Sequence, residues 1–480
     1  MFALPALRRL PALVFLLGLA ACDQTPRFAH AEPDEALSAG AATVRKTGRD
    51  AFSRPSANLT PARQLDFSVG NSFFRNPWVI APSSTTARDG LGPLLNTNAC
   101  MNCHVRDGRG HPPAGDDDIA VSMLVRLSIP AEADSTRSAA ERATLLERLG
   151  VLPEPVYGVQ FQDAAIPGVA PEGRVRLDYD YVPVSFADGT QVDLRRPTLR
   201  LTRLGYGPLH PAVETSARVA PPMIGLGLLE AIPEADLLAH ADPDDRDGDG
   251  IRGRPNRVWD DVQGKTVMGR FGWKAGQPSL NQQNAHAFAT DMGLTNAVLP
   301  HDDCTEAQEA CRAAPNGGVP EVSDHILAQV LFYTRNLGVP ARRQVDDPAV
   351  LRGKSLFHEA GCQRCHVPRF TTAADAAEPE LANQVIRPYT DLLLHDMGEG
   401  LADHRREFQA SGSQWRTPPL WGIGLTATVS GHTQFLHDGR ARTLLEAILW
   451  HGGEAESARR AVLQFDAGQR EALLAFLNSL

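Results

Sequence analysis

Residues 100–104 read Cys-Met-Asn-Cys-His and residues 362–366 read Cys-Gln-Arg-Cys-His, so the pattern C-x-x-C-H occurs twice. The spacing constrains the backbone tightly. One short turn must set two thiols against the same edge of a ligand and direct the next imidazole beneath it. In c-type cytochromes these thiols form thioethers to the haem vinyl groups, and the histidine ligates iron. Two C-x-x-C pairs could instead hold zinc. A histidine directly after each pair, in a chain with an export signal, favours two covalently bound haem c groups, held by Cys100, Cys103 and His104 and by Cys362, Cys365 and His366.

The export signal is the opening stretch, MFALPALRRLPALVFLLGLAAC: Arg8 and Arg9, then an apolar run to Ala21 that is too short to span a bilayer. Leu19–Cys22 resembles a bacterial lipobox, which predicts cleavage after residue 21 and a lipid anchor on Cys22 facing the periplasm. With Cys22 lipidated and four cysteines in the motifs, Cys304 and Cys311 remain. They are expected to pair as a short surface disulfide in an oxidising compartment.

A length of 480 residues predicts two or three domains. The net charge of −10 argues against a nucleic-acid partner. Residues 22–63 are expected to act as a tether, 64–340 as an N-terminal haem domain and 345–480 as a C-terminal haem domain. Within the first, residues 120–265 form a β-containing insertion. There, RVRLDYDYVPVSFADGTQVDLRR alternates apolar and polar residues around an Asp188-Gly189 turn and predicts a hairpin. Residues 321–337 read as helix, 339–348 as linker, and GQREALLAFLNSL as an amphipathic terminal helix. The expected fold is mainly α, with two cytochrome c-like haem domains.

Two haem motifs combined with FLHDGRARTLLEAILWH (435–451) and LLAFLNSL (473–480) resemble the bacterial di-haem cytochrome c peroxidase superfamily, which includes the enzyme that matures methylamine dehydrogenase. GLGPLLNTNACMNCHVRDGRG (90–110) and GRFGWKA (269–275) are similar to its branch of di-haem oxidoreductases, sometimes called thiol oxidoreductases. The resemblance covers about 65–120 and 265–480.

That resemblance implies roles for further residues. Trp273 matches the tryptophan between the two haems. Gln283 matches a distal-pocket glutamine. Asp291 falls near the catalytic glutamate, two residues early and one methylene shorter. His437 matches the histidine of the HDG loop near the second haem. Thr443 and Glu446 read as a capping box that starts a short helix ended by Gly452-Gly453. His451, just past that helix, stands where the peroxidases carry a methionine ligand and the maturation enzyme a tyrosine. It is therefore expected to be the sixth ligand of the second haem, opposite His366, with a lower potential than a Met/His pair gives. For the first haem, His111, His210 and His286 are candidate sixth ligands, and a five-coordinate iron is the alternative. His395 and Met397 are further candidate haem neighbours.

Asp245, Asp247 and Asp249 alternate before Gly250 like the start of a calcium loop, with Asn256 in place of the acid at position 12. The implied activity is a peroxidase-type oxidoreductase that reduces hydrogen peroxide at the first haem, with a small redox protein as electron donor. The alternatives are oxidation of a protein, thiol or metal-ion substrate, linked to iron uptake, and a non-catalytic electron carrier.

Overall fold

Helices are short here because 36 prolines and 41 glycines punctuate the chain. The computed structural model describes residues 28–115 and 118–480, besides Met1. The signal segment and Cys22 lie outside the described residues. Among those described, no helix is long and apolar enough to cross a membrane.

Six helices frame the site: α1 (Pro61–Arg75), α2 (Leu280–Met292), α3 (Asp324–Arg335), α4 (Pro348–Glu359), α5 (Leu444–Leu449) and α6 (Ala467–Ser479). Their starts are written locally. Thr60, Ser279, Ser323, Asp347 and Thr443 each accept a backbone N–H of the first turn, and Pro61 and Pro348 occupy the first helical position. Asp466 and Gln469 form a reciprocal capping box on α6.

The helices pack as crossed pairs. At Gly70 of α1 an added Cβ would lie 2.2 Å from the Gln329 carbonyl oxygen of α3. At Gly353 of α4 it would lie 1.9 Å from the Ala472 carbonyl oxygen of α6. Each crossing is thus so close that only glycine fits. The first pair brackets the first Cys motif in sequence and the second pair brackets the other.

The expectation of a mainly α fold is overturned: the described residues are 29% helix and 18% strand, the strands spread over several small sheets. Strands β1 (Met123–Ser128), β2 (Arg174–Ser185), β3 (Gln191–Thr202) and β4 (Glu214–Val219) fall within 120–265. β1 is central in a three-stranded antiparallel sheet, between Gln160–Phe161 and β4. Further antiparallel pairs lie in the second half, including β5 (Leu394–Asp396) with β6 (Gln414–Arg416). These two- and three-residue strands carry no alternation long enough to show in the sequence.

The predicted hairpin forms, with Val175 opposite Leu201 and Ser185 opposite Gln191. It does not stay with the N-terminal half. Phe186 and Leu194 share a core with Val462, Phe465 and Leu473. The Ala187 N–H donates to Leu463 O at 2.9 Å.

The chain between 33 and 44 departs from the tether expectation. Ala39 and Ala42 are fully buried, and Val44 N–H donates to Val339 O at 2.8 Å. Glu35, 2% exposed, pairs with Arg342 and with Lys354 Nζ at 2.8 Å. Two buried cations on one carboxylate fasten this strap across the 339–348 linker to α4. Cys304 and Cys311 form the expected disulfide.

Candidate functional site

One cavity of about 390 Å³ receives both Cys motifs. Cys100–Cys103 makes a single helical turn, and Cys362–Arg364 makes a single 3-10 turn, so in each motif both sulfurs and the following imidazole reach the cavity wall. All four cysteines are unpaired, unlike Cys304 and Cys311. Burial pushes the Cys100 and Cys362 thiols up to about 12 and raises Cys103 and Cys365 as well. Among the described residues the only convergence of three or more Cys, His or acidic donors is Asp245, Asp247 and Asp249. The two Cys pairs therefore do not meet at a shared metal, which removes the zinc alternative.

The two motif histidines are held in the same way. His104 Nδ1 is tied to Pro221 O at 2.8 Å and His366 Nδ1 to Tyr389 O at 2.9 Å. Each Nε2 is left unprotonated, because Nδ1 must be the donor to a carbonyl. Burial lowers both imidazoles to about 4, so they stay neutral. His451 repeats the device, with Nδ1 on Ala447 O at 2.7 Å and burial lowering its pKa. It lines the cavity close enough to His366 to depress that ring electrostatically. Local structure explains its position. Thr443 caps α5 by accepting Glu446 N–H at 3.1 Å, and α5 ends at Leu449. Glu446 departs from the full capping box: its carboxylate accepts from Arg442 N–H at 2.8 Å.

His111, His210 and His286 do not line the cavity. His111 packs against the ring of His432 at 5.2 Å, His210 Nδ1 accepts from Ala212 N–H, and His286 Nε2 meets Asp261 at 3.0 Å.

Gln283, Ala287 and Asp291 line the cavity from one face of α2, at i, i+4 and i+8. Asp291 Oδ1 accepts from Gln160 Nε2 at 2.9 Å. Burial raises its pKa against the pull of Arg126, and its charge bears on Cys100 and Cys103, which places it at the first site. Trp273, 7% exposed, donates from Nε1 to Val219 O at 2.8 Å and meets His437 edge-on.

Several site residues escaped sequence reasoning. Trp415 stacks on His437 at 3.7 Å. Lys274, fully buried, gives three hydrogen bonds of 2.8 Å to Asp403, Arg405 O and Ser411 O. Arg109, Arg126 and Arg416 line the cavity. The one local signal for Lys274 was its place beside Trp273 in GRFGWKA. His395 and Met397 line the cavity as well, and His395 is held between Asp391 at 2.8 Å and Glu454 at 2.7 Å.

Asp245, Asp247 and Asp249 bring oxygens within 4.8 Å of one another at the surface. Arg364 reaches Asp249 at 3.1 Å and Arg252 reaches Asp245 at 3.6 Å. Asn256 does not complete the loop. It is buried, its amide donating to Lys274 O at 2.8 Å and its oxygen accepting from Gln409 N–H. Two of the three carboxylates are thus engaged by arginines.

A family model described as "Di-haem oxidoreductase, putative peroxidase" matches residues 33–480. Among solved structures, a hydrazine synthase of Kuenenia stuttgartiensis under xenon pressure aligns over 92% of this chain and 96% of that one. The identity is 13% and the TM-score 0.34, a likeness too weak to carry an argument. No curated protein matches the chain.

Proposed function

The chain belongs to the di-haem oxidoreductase family, and from that premise we propose that it is an exported c-type di-haem peroxidase acting on hydrogen peroxide. The observation that carries this reading is that His104, His366 and His451 line one cavity with both Cys motifs, each with Nδ1 tied to a backbone carbonyl, and that His451 lies close enough to His366 to act on its charge.

The residues fit the group. Cys100 and Cys103 would hold one haem by thioethers and Cys362 and Cys365 the other, with arginines such as Arg126 and Arg416 available to the propionates. When bound, haem supplies redox-active iron. His366 and His451 would hold the second haem, and two imidazoles would give it a lower potential than a Met/His pair, suited to storing and passing electrons. His104 would hold the first haem, and Gln283 and Asp291 line the cavity on that side, where substrate would enter. There the Gln283 carboxamide orients peroxide. Asp291, raised by burial, takes a proton from one peroxide oxygen and returns it to the departing one. Export with a lipid on Cys22 would place the reaction in the periplasm, with a small reduced redox protein as donor.

The test is spectroscopic. Electron paramagnetic resonance of the half-reduced protein should show a high-spin first haem that is lost on adding hydrogen peroxide. Turnover with a reduced small cytochrome should fall tenfold or more in Gln283→Ala. A first haem that stays low-spin and ignores peroxide would replace this reading with that of an electron carrier.

A further inference from the structure

Three rings form a continuous array in the cavity wall. Trp273 meets His437 with ring centres 6.5 Å apart, and His437 lies on Trp415 at 3.7 Å with 14° between the planes. The two ends reach different motifs. Trp273 Nε1 donates to Val219 O, two residues before the Pro221 carbonyl that holds His104. Trp415 is the cross-strand partner of His395, whose ring lies 3.6 Å from Cys365 Sγ.

Both indoles are also protected against losing an electron. Lys274 Nζ sits 4.5 Å from the centre of the Trp415 ring and the Arg218 guanidinium 5.8 Å from it. Arg109 lies 5.2 Å over Trp273. A cation held against a ring favours its electron-rich ground state and opposes a positive charge on it, more strongly where water is excluded. The indole N–H groups end on backbone carbonyls, Val219 O at 2.8 Å and Leu401 O at 2.9 Å. A carbonyl accepts a hydrogen bond but is too weak a base to take the proton, so an oxidised indole could not settle as a neutral radical.

We propose that Trp415 is a second bridging ring beside Trp273, and that Lys274, Arg218 and Arg109 keep both indoles closed-shell while electrons pass between the two haem sites. This rests on the di-haem reading above. Reduction of hydrogen peroxide to two waters consumes two electrons and two protons. The electrons come from the reduced donor protein by way of the second site, and the protons come from solvent. Each indole ends with the electrons and the N–H it began with.

The experiment uses holoprotein whose mass shows both haems, so that failure of the haem reading is seen separately as missing mass. The fully reduced protein is mixed with hydrogen peroxide, freeze-quenched and examined by electron paramagnetic resonance. Wild type should show no tryptophan radical. Lys274→Met should show one, and Lys274→Met/Trp415→Phe should lose it. Independently of any change at Lys274, Trp415→Phe should slow electron equilibration between the haems at least tenfold with both haem spectra unchanged. A tryptophan radical in wild type, none in Lys274→Met, or an unaltered equilibration rate in Trp415→Phe overturns the proposal.

Discussion

Replacing Lys274 by methionine tests what the buried ammonium costs the fold. The side chain is fully buried and makes three 2.8 Å hydrogen bonds, one of them to the Asp403 carboxylate. Even so, burial lowers its pKa from 10.5 to about 8, with Asp403 opposing the shift and Arg218 adding to it. Desolvation therefore outweighs the ion pair, as is common for buried charges. The fall from 10.5 to about 8 corresponds to about 3.5 kcal/mol. The sign follows from proton counting. Between pH 8 and 10.5 the unfolded chain keeps a proton that the folded chain has lost, so stability rises with pH across that window. Below pH 8 both states are protonated and the contribution is flat. Urea unfolding of wild type and Lys274→Met at pH 7, 8, 9 and 10 isolates the effect, because titrations remote from Lys274 are common to both. The wild-type-minus-variant difference should be constant from pH 7 to 8 and then climb by roughly 2 kcal/mol by pH 10. Parallel curves, agreeing within about 0.5 kcal/mol, would refute the argument.

Three other outcomes are expected. Glu35→Ala leaves Arg342 and Lys354 buried beside a vacated position and should cost about 3–5 kcal/mol, read as a lower urea midpoint. Interactions hold the folded Glu35 pKa below 4.5, so its contribution should be present above that pH and fade as pH falls through the folded value. Gly353→Ala drives a methyl to 1.9 Å from Ala472 O. Separating the two helices should lower stability by about 1–3 kcal/mol despite a helix-propensity gain near 1 kcal/mol, and a raised melting temperature would contradict the crossing. His451→Met should raise the midpoint potential of the second haem and leave the first unchanged, measured by spectroscopic redox titration; an unaltered second-haem spectrum in His451→Ala would remove His451 from the iron.

What could be read along the chain was local. The two Cys-x-x-Cys-His turns, the hairpin around Gly189, the Thr443 cap that delivers His451 to the cavity and the Cys304–Cys311 bond each depend on residues within about a dozen positions of one another. Over that range, turn chemistry and hydrogen bonding to near neighbours decide the conformation. Asn256 marks the limit. Its spacing suggested a loop ligand, but a buried amide needs partners, and Lys274 and Gln409 supply them from distant segments.

The rest was decided by contacts between segments far apart in sequence. No local pattern brings Trp415 onto His437, sets Lys274 beneath that indole, lays the hairpin on the C-terminal helices or pins Glu35 between Arg342 and Lys354. Each arises because apolar surface and buried charge must find partners in three dimensions, and many pairings satisfy a one-dimensional pattern equally well. The amino-acid order therefore determined where the two Cys-x-x-Cys-His turns form and which imidazoles accompany them. The folded chain alone decided what lies between the two haem sites.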